Sequence, residues 1–270
     1  TPDDGPPPRL PEREETTGEM VVRGMSSLHI DIMIKRLARK KVEVLTRPPR
    51  IPYMETISSN GEAMFRHKKQ SGGRGQFAEV HLRVAPLARG ENVEFVDEIV
   101  GGSIPRQFIP AVEKGIRETC AQGVLAGYPF TDVKAIVHFG KFHDVDSDEF
   151  SFKLASSQAF KLAVANASPI LLEPILEVEI EVPSRFMGDI SGDLNSRRGR
   201  IQGMTQEQDT ATIQAEVPLA EMMTYSTELR SLTAGEGDYT FRFGHYEPVP
   251  PHLTKEVIAN AKRKQEEDHG

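Results

Sequence analysis

The acidic segment HDVDSDEF, residues 143–150, has the residue types best suited to chemistry in this chain. Its three aspartates follow the spacing that begins a calcium-binding loop. Glu149, however, stands where that loop needs glycine, and Ala155 stands where it needs a bidentate acid. The pattern therefore excludes a calcium site, and we predict no metal ligand here.

His143 and Asp144 could instead form a general base, because an imidazole beside a carboxylate moves protons near neutral pH. The sequence shows no evident nucleophile or metal cluster that would complete such a site. A plainer interpretation is a helix cap at Asp146, with Glu149 as the second half of a capping box and His143 exposed. We predict no catalytic residue, and spacing alone favours the capping interpretation.

A second segment, QSGGRGQ at residues 70–76, places three glycines beside amides and a base. Glycine lets a backbone approach a phosphate or a base closely, as a loop that probes RNA would require. Gly73, Gly75 and Ala78 formally match a dinucleotide-binding motif, but the segment leads into a strand instead of opening a helix. A flexible hairpin loop is the alternative.

The strands that adjoin these two segments decide whether the segments can act together. One loop precedes a strand predicted at residues 77–84, and the other follows a strand predicted at residues 133–139. If these strands run antiparallel, both loops emerge at the same end of a sheet. We therefore predict a shared tip that presents His143 near the cationic Lys68, Lys69 and Arg74.

Three basic clusters stand out in a chain whose net charge is −7. The first runs from Arg66 to Arg74, the second lies in NSRRGR, and the third spans residues 35–41. The candidates for contact with ribosomal RNA are Lys68, Lys69, Arg197, Arg198 and Arg200. Local patches of this kind can bind phosphates on an acidic protein, although each cluster by itself also fits solvated surface charge.

Composition bounds the class of protein. The 270 residues, 38% of them hydrophobic, suffice for two or three domains. A single cysteine, Cys120, excludes an internal disulfide framework and favours a reducing compartment, so we expect a cytoplasmic protein. The sequence contains neither an apolar run long enough for a membrane span nor a signal segment at its start, and we expect no membrane association.

Hydrophobic periodicity predicts three units. Residues 20–45 read as strand, helix and strand, and the prolines of RPPRIP then indicate a linker. In the second unit, Asn60-Gly61 suggests a hairpin turn, and Pro110 opens a helix that Gly123 ends. A later strand is marked by Ala135, Val137 and Phe139, and the helix after it has the buried stripe Phe152, Ala155, Ala159, Leu162 and Ala163.

The third unit begins after Ser168-Pro169. Apolar residues alternate with glutamates over residues 176–182, and the elements that follow complete the order βαββαβ, with a single second helix that buries Leu219, Met222, Met223 and Leu229. This order predicts a ferredoxin-like domain. The last twenty residues read as a charged helical tail.

These segments together resemble the C-terminal half of translation elongation factor G. The matching runs, in order, are QSGGRGQ, GGSIPRQFIPAVEKGI, LAGYP, HFGKFHDVDSDEFSFKLA, LLEPI, GDLNSRRGRIQG and LRSLT. The resemblance implies an α+β, multi-domain fold. It divides the chain into partial ferredoxin-like domain III with a disordered N-terminus (1–50), domain IV with a left-handed βαβ fold like that of some ribosomal proteins (51–168), ferredoxin-like domain V (169–250) and the tail (251–270).

In that family, the tip of domain IV enters the decoding centre as transfer RNA and messenger RNA advance. The tip residues that the resemblance carries over are Gln70, Ser71, Gly72, Gly73 and Arg74 in one loop and His143, Asp144, Val145 and Asp146 in the other. The implied partners are both ribosomal subunits and the tRNA–mRNA complex, with the factor acting as a monomer. The AGEGD run after Thr233 departs from the family's more basic pattern and leaves open a second-type paralogue.

No G-x-x-x-x-G-K-[ST] phosphate loop occurs in the sequence. We therefore expect no GTP hydrolysis by this chain alone and no cofactor in it. GTP and Mg²⁺ are assigned to a GTPase domain of a longer parent, of which this chain would be a C-terminal fragment without the first strand and helix of domain III. A ribosomal protection or rescue factor of the same domain plan is the alternative, and a metal-dependent enzyme at the His143 loop is the least favoured one.

Overall fold

A computed structural model of the chain describes residues 12–13, 20–21, 27–40, 42, 49–70 and 75–269. The strands are β1 (Glu12–Arg13), β2 (Met20–Val21), β3 (Met54–Ile57), β4 (Gly61–Lys69), β5 (Gln76–Pro86), β6 (Val93–Asp97), β7 (Val133–Lys141), β8 (Pro169–Pro183), β9 (Arg200–Glu207), β10 (Thr210–Pro218) and β11 (Asp238–Pro248). The helices are α1 (Ser27–Arg39), α2 (Ile109–Gln122), α3 (Glu149–Ala165), α4 (Met187–Ser196), α5 (Leu219–Met222), α6 (Tyr225–Leu232) and α7 (Pro251–His269). The predicted α+β class is confirmed.

The chain forms two compact units. One unit comprises residues 53–172 with 246–270, and the other comprises residues 1–52 with 173–245. The C-terminal tail thus belongs to the unit of residues 53–172. Although α7 is 19 residues long, it is too polar for a bilayer, and no other helix in the described ranges has both the length and the apolar character of a membrane span.

The unit of residues 53–172 is built on a four-stranded sheet of order β4-β5-β7-β6. The pairs β4/β5 and β5/β7 are antiparallel, whereas β6 and β7 are parallel and are connected through α2. Alternation along β5 buries Ala78, Val80 and Leu82 completely against a core that also contains Ile116 of α2 and Phe152 of α3. Both helices therefore cover the same face of the sheet.

Two local predictions in this unit are wrong, the hairpin at Asn60-Gly61 and the burial of Leu162, whereas the strand marked by Ala135, Val137 and Phe139 is confirmed as β7. Asn60-Gly61 does not form a hairpin, because β3 pairs with β8 and β4 pairs with β5; neither residue has the positive φ that a tight hairpin turn requires. On β7, a bulge opposite His81 and Leu82 inserts one residue, so Phe139 faces away from the core and is 40% exposed. In α3, the predicted stripe is buried except for Leu162, which is 45% exposed.

The α2 boundaries agree with the sequence signals. Pro110 lies in the first turn, where the missing N–H removes no helical hydrogen bond. Gly123 ends the helix with a φ of 74°, a conformation that residues with a side chain rarely adopt.

The other unit contains the strands β11-β8-β10-β9 in that spatial order, with α4 between β8 and β9 and the helices α5 and α6 between β10 and β11. This is the predicted βαββαβ order. The predicted second helix is broken into two, and Met223 between them is 36% exposed. The strand predicted at residues 42–45 lies outside the described residues, apart from Val42, which is not in a strand.

Candidate RNA-contacting tip

The two candidate loops meet at one end of the four-stranded sheet, as predicted from the antiparallel strands. The β5/β7 register pairs Glu79 with Lys141, so the start of β5 and the end of β7 lie together. The Gly75 N–H donates to Asp146 Oδ1 at 3.0 Å, and the Phe77 N–H donates to the Asp146 carbonyl at 2.9 Å. The loops are therefore joined by direct hydrogen bonds.

Four residues of the first loop, Ser71, Gly72, Gly73 and Arg74, lie outside the described residues, so their predicted roles stay predictions. Gln70 directly precedes this stretch and is exposed. Lys68 and Lys69 are exposed at the end of β4, opposite Phe77 and Gln76 of β5. The structure thus places both lysines beside the tip, where a phosphate could reach them.

Asp146 does not cap the helix. The N-cap of α3 is Asp148, whose Oδ1 accepts the Ser151 N–H at 2.7 Å, and the helix starts at Glu149. The capping-box interpretation placed the cap two residues too early, because several acids in the segment have acceptable cap chemistry. Because Asp146 does not cap the helix, its carboxylate accepts the Gly75 N–H instead.

Ser147 is a positioning residue that the sequence reasoning missed. Its hydroxyl donates to the Phe77 carbonyl at 2.7 Å and accepts the His143 N–H at 2.9 Å, while its own N–H donates to the His143 carbonyl at 3.1 Å. Ser147 is buried and connects both strands that lead to the tip. Its position between two aspartates was the only available signal, and that signal is weak.

The ring of His143 has a defined orientation. Its Nδ1 accepts the backbone N–H groups of Val145 and Asp146, each at 3.3 Å. The tautomer that fits these bonds has its proton on Nε2, which makes Nε2 a donor. The side chain is 56% exposed and lies beside Phe77, with ring centroids 6.5 Å apart. The turn therefore presents one N–H donor on an exposed ring.

The remaining tip residues also face solvent. Asp144 is exposed, and the apolar Val145 is 62% exposed. Among the residues that the structure describes, no group of three or more His, Cys, Asp or Glu side chains is arranged to hold a metal ion. The arrangement is suited to hydrogen bonding and surface contact.

Behind the tip, a buried carboxylate organises a cationic cluster. Glu79 is 1% exposed, and its oxygens contact Arg66 Nε at 2.5 Å, His81 Nε2 at 3.1 Å and Lys141 Nζ at 3.5 Å. Burial by itself would raise the pKa of Glu79, but hydrogen bonds from His81 and Arg66 and the charges of Arg66 and Lys141 lower it below its usual value. Glu79 thus fixes three side chains from three strands.

This cluster predicts a pH-dependent contribution to stability. Because the pKa of Glu79 is lowered in the folded state, its contribution is present above the unfolded value of 4.5 and is lost as the pH falls through the folded value. Glu79→Gln should cost about 1–2 kcal/mol of unfolding free energy at pH 7, given the exposure of its partners, and less at acid pH. Urea unfolding measured across pH tests this expectation.

Glu98→Gln is the control, since Glu98 forms an exposed pair with Arg83 at 2.6 Å. It should change the unfolding free energy by less than about 1 kcal/mol. A Glu79→Gln effect that is the same at every pH would contradict the assignment.

The three arginines of NSRRGR have intramolecular partners. Arg197 is 11% exposed and donates to Asp193 at 2.8 Å, to the Glu221 carbonyl at 2.8 Å and to Glu228. The hydrogen bond with Asp193, followed by that with Glu228, raises the pKa of Arg197 despite its burial. This geometry gives Arg197 a structural role in its unit.

Arg198 likewise makes a bidentate pair with Glu173, at 2.6 and 3.0 Å, and contacts Glu221. Its positive φ of 59° places it in a turn. Arg200 is 52% exposed and pairs with Glu216 at 2.9 Å. RNA contact by these arginines stays a prediction, and Arg200 is the best exposed of the three. Their pairing could not be read from the sequence, because most of the acids are distant along the chain.

Comparison with known proteins places these features in a family context. Family models match residues 11–48 (Elongation Factor G, domain III), 49–168 (Elongation factor G, domain IV) and 170–257 (Elongation factor G C-terminus). An elongation factor G-like protein of Thermotoga maritima is 47% identical over 266 residues, which cover 98% of this chain and 39% of that protein. A crystal structure of a Thermus thermophilus protein is 43% identical with a TM-score of 0.82, covering 95% of this chain and 38% of that one.

Proposed function

Because this chain belongs to the elongation factor G family, we propose that it is the ribosome-engaging part of a GTP-dependent translocase that moves tRNA and mRNA during protein synthesis. The chain spans less than two fifths of the length of the relative it matches, which leaves room for a separate GTPase domain. The observation that carries the proposal is the hydrogen-bonded pair of loops that presents the His143 ring at the end of the four-stranded sheet.

The tip is suited to contacting a codon–anticodon duplex. The outward Nε2–H of His143 can donate to a base edge, a ribose hydroxyl or a phosphate oxygen, all of which accept hydrogen bonds. Lys68 and Lys69 lie at the same end of the sheet and supply positive charge for the RNA backbone. Because Asp146 and Ser147 bond to Gly75 and Phe77, the turn that contains His143 is held in place before binding, and little conformational entropy of this turn needs to be lost.

The mechanism that we propose is positional rather than covalent. A tip that binds the decoding site better after tRNA has moved than before would shift the balance between the two ribosomal states. A difference of about 1.4 kcal/mol between the two states suffices for a tenfold bias. The GTPase domain of the complete protein would bind GTP and Mg²⁺, and this chain would contribute no chemical step.

Replacement of His143 tests the proposal in the full-length protein. His143→Ala should slow single-turnover translocation about tenfold, corresponding to ~1.4 kcal/mol, and leave ribosome-stimulated GTP hydrolysis nearly unchanged. His143→Asn should slow it similarly, because the asparagine oxygen can still accept the N–H groups of the turn but its side chain is too short to replace Nε2. Both variants are compared by rapid-kinetic measurement of tRNA movement.

Phe150→Ala is the matched control, since Phe150 is 58% exposed on the first turn of α3 and lies outside the tip. We expect it to translocate at the wild-type rate. Normal translocation by His143→Ala would refute the role of the ring. Normal translocation by His143→Asn alone would show that His143 acts only by shaping the turn.

A further inference from the structure

The face of the four-stranded sheet that lies opposite α2 and α3 carries a row of two exposed apolar side chains with a half-buried histidine between them. Met64, His81 and Phe139 are cross-strand neighbours on β4, β5 and β7. Met64 is 44% exposed and Phe139 is 40% exposed. Phe139 reaches this face only because the β7 bulge reverses its direction.

The row contains rings in mutual contact. The His81 and Phe139 ring centroids lie 5.0 Å apart at an interplanar angle of 80°, and the His138 ring lies 6.1 Å from that of His81. Nearer the tip, Phe77 on the same face lies next to His143. Exposed rings on an open sheet are platforms on which unpaired bases stack, and they accept any base because every base has a π face.

Positive charge lies between this row and the tip. In the next cross-strand row toward the tip, Arg66 of β4 and Lys141 of β7 lie on either side of the buried Glu79 carboxylate. Lys68, which is opposite Phe77, adds a third cation. The Arg66 and Lys141 side chains are 50% and 54% exposed although Glu79 holds them. Ordered and exposed cations of this kind complement the phosphates of a strand whose bases stack on the adjoining rings.

We propose that this open sheet face binds single-stranded RNA, with bases stacked on Phe139 and His81 and phosphates held by Arg66, Lys68 and Lys141. The proposal extends the proposed function, since it adds a second RNA-binding surface next to the tip. An RNA duplex fits less well, because its stacked bases cannot reach the rings and only its backbone could engage the cations.

The test measures the fluorescence anisotropy of a short labelled oligoribonucleotide without self-complementarity, titrated with the 270-residue chain. Phe139→Ala and Phe139→Leu should each weaken binding about tenfold, or ~1.4 kcal/mol, because both remove the ring. Phe139→Tyr should bind like the wild type. Circular dichroism verifies that each variant is folded, and the Leu variant retains most of the apolar volume.

Phe150→Ala provides the control for a general loss of exposed aromatic surface and should leave the affinity unchanged. Lys141→Gln should reduce the slope of log affinity against log salt by about 0.7, the value for one phosphate contact on a single strand. Wild-type affinity of Phe139→Leu would overturn the proposal, as would tighter binding of a duplex of the same sequence. These assays need no ribosome, so a negative result would not change the outcome of the His143 translocation test.

Discussion

Glu55→Gln should lower the unfolding free energy of the unit of residues 53–172 by about 3–5 kcal/mol. Glu55 is fully buried in β3, and its carboxylate accepts four backbone N–H groups. Oε2 accepts those of Val124 and Leu125 at 2.6 and 2.7 Å, and Oε1 accepts those of Ala126 and Tyr128 at 2.7 and 3.0 Å. In the glutamine variant, an –NH2 group replaces one carboxylate oxygen. It cannot accept the two backbone N–H groups that this oxygen accepts, so they would be left without a hydrogen-bond partner.

The loss is measured by urea unfolding followed by circular dichroism, since the chain contains no tryptophan. Hydrogen exchange shows where in the unit stability is lost, because the amides of residues 124–128 should lose protection first. Glu62→Gln is the control, as the Glu62 side chain is 60% exposed on β4 and lies 3.2 Å from His138. Similar stability of Glu55→Gln and Glu62→Gln would contradict the assigned role of the buried carboxylate.

Gly115→Ala should destabilise the same unit by about 2–3 kcal/mol, although alanine normally favours a helix. A Cβ at Gly115 of α2 would lie 2.3 Å from both the Lys153 carbonyl and Ser156 Oγ of α3. The two helices would have to separate, which would loosen the core around Phe152. Since α3 begins directly after the tip segment, the same shift should also reduce RNA contact by the tip.

Gly192→Ala in α4 is the matched control. A Cβ there meets no heavy atom within 4 Å, so only the gain in helix propensity remains, and stability should rise by about 0.5–1 kcal/mol. The same chemical change thus has opposite expected signs at the two glycines. Thermal and urea unfolding of both variants compare them, and a stabilising Gly115→Ala would show that the helices do not pack as closely as described.

Local signals in the sequence determined the elements and their order. Alternation at residues 78–84 and 176–182 sufficed for two strands and their buried faces, because a strand turns every second side chain to the same side. Pro110 and Gly123 located α2, and the order of the elements after residue 176 gave the ferredoxin-like unit. The prediction that the two loops share a tip was confirmed for their described residues, because β5 and β7 pair antiparallel and Asp146 bonds to Gly75 and Phe77.

The tertiary structure alone decided which polar groups meet. No local pattern marks Glu55, because its partners lie about seventy residues away along the chain. Arg197 and Arg198 read as part of a basic cluster, and only the structure shows that acids from other elements bond to them. Asp146 reads as a cap and serves as a link between loops. Hydrogen bonds and ion pairs depend on positions within a few ångströms, which local periodicity does not specify.

In the tip segment, some features follow from the sequence and others depend on the tertiary structure. Its residue types and its place between two strands followed from the sequence, whereas the antiparallel pairing of β5 and β7, on which the shared tip depends, came from the structure. The orientation of the His143 ring depends instead on the turn that brings the Val145 and Asp146 N–H groups to Nδ1. The outward position of Phe139 depends on one inserted residue in β7. Both features are set by backbone geometry that forms only when distant strands pair.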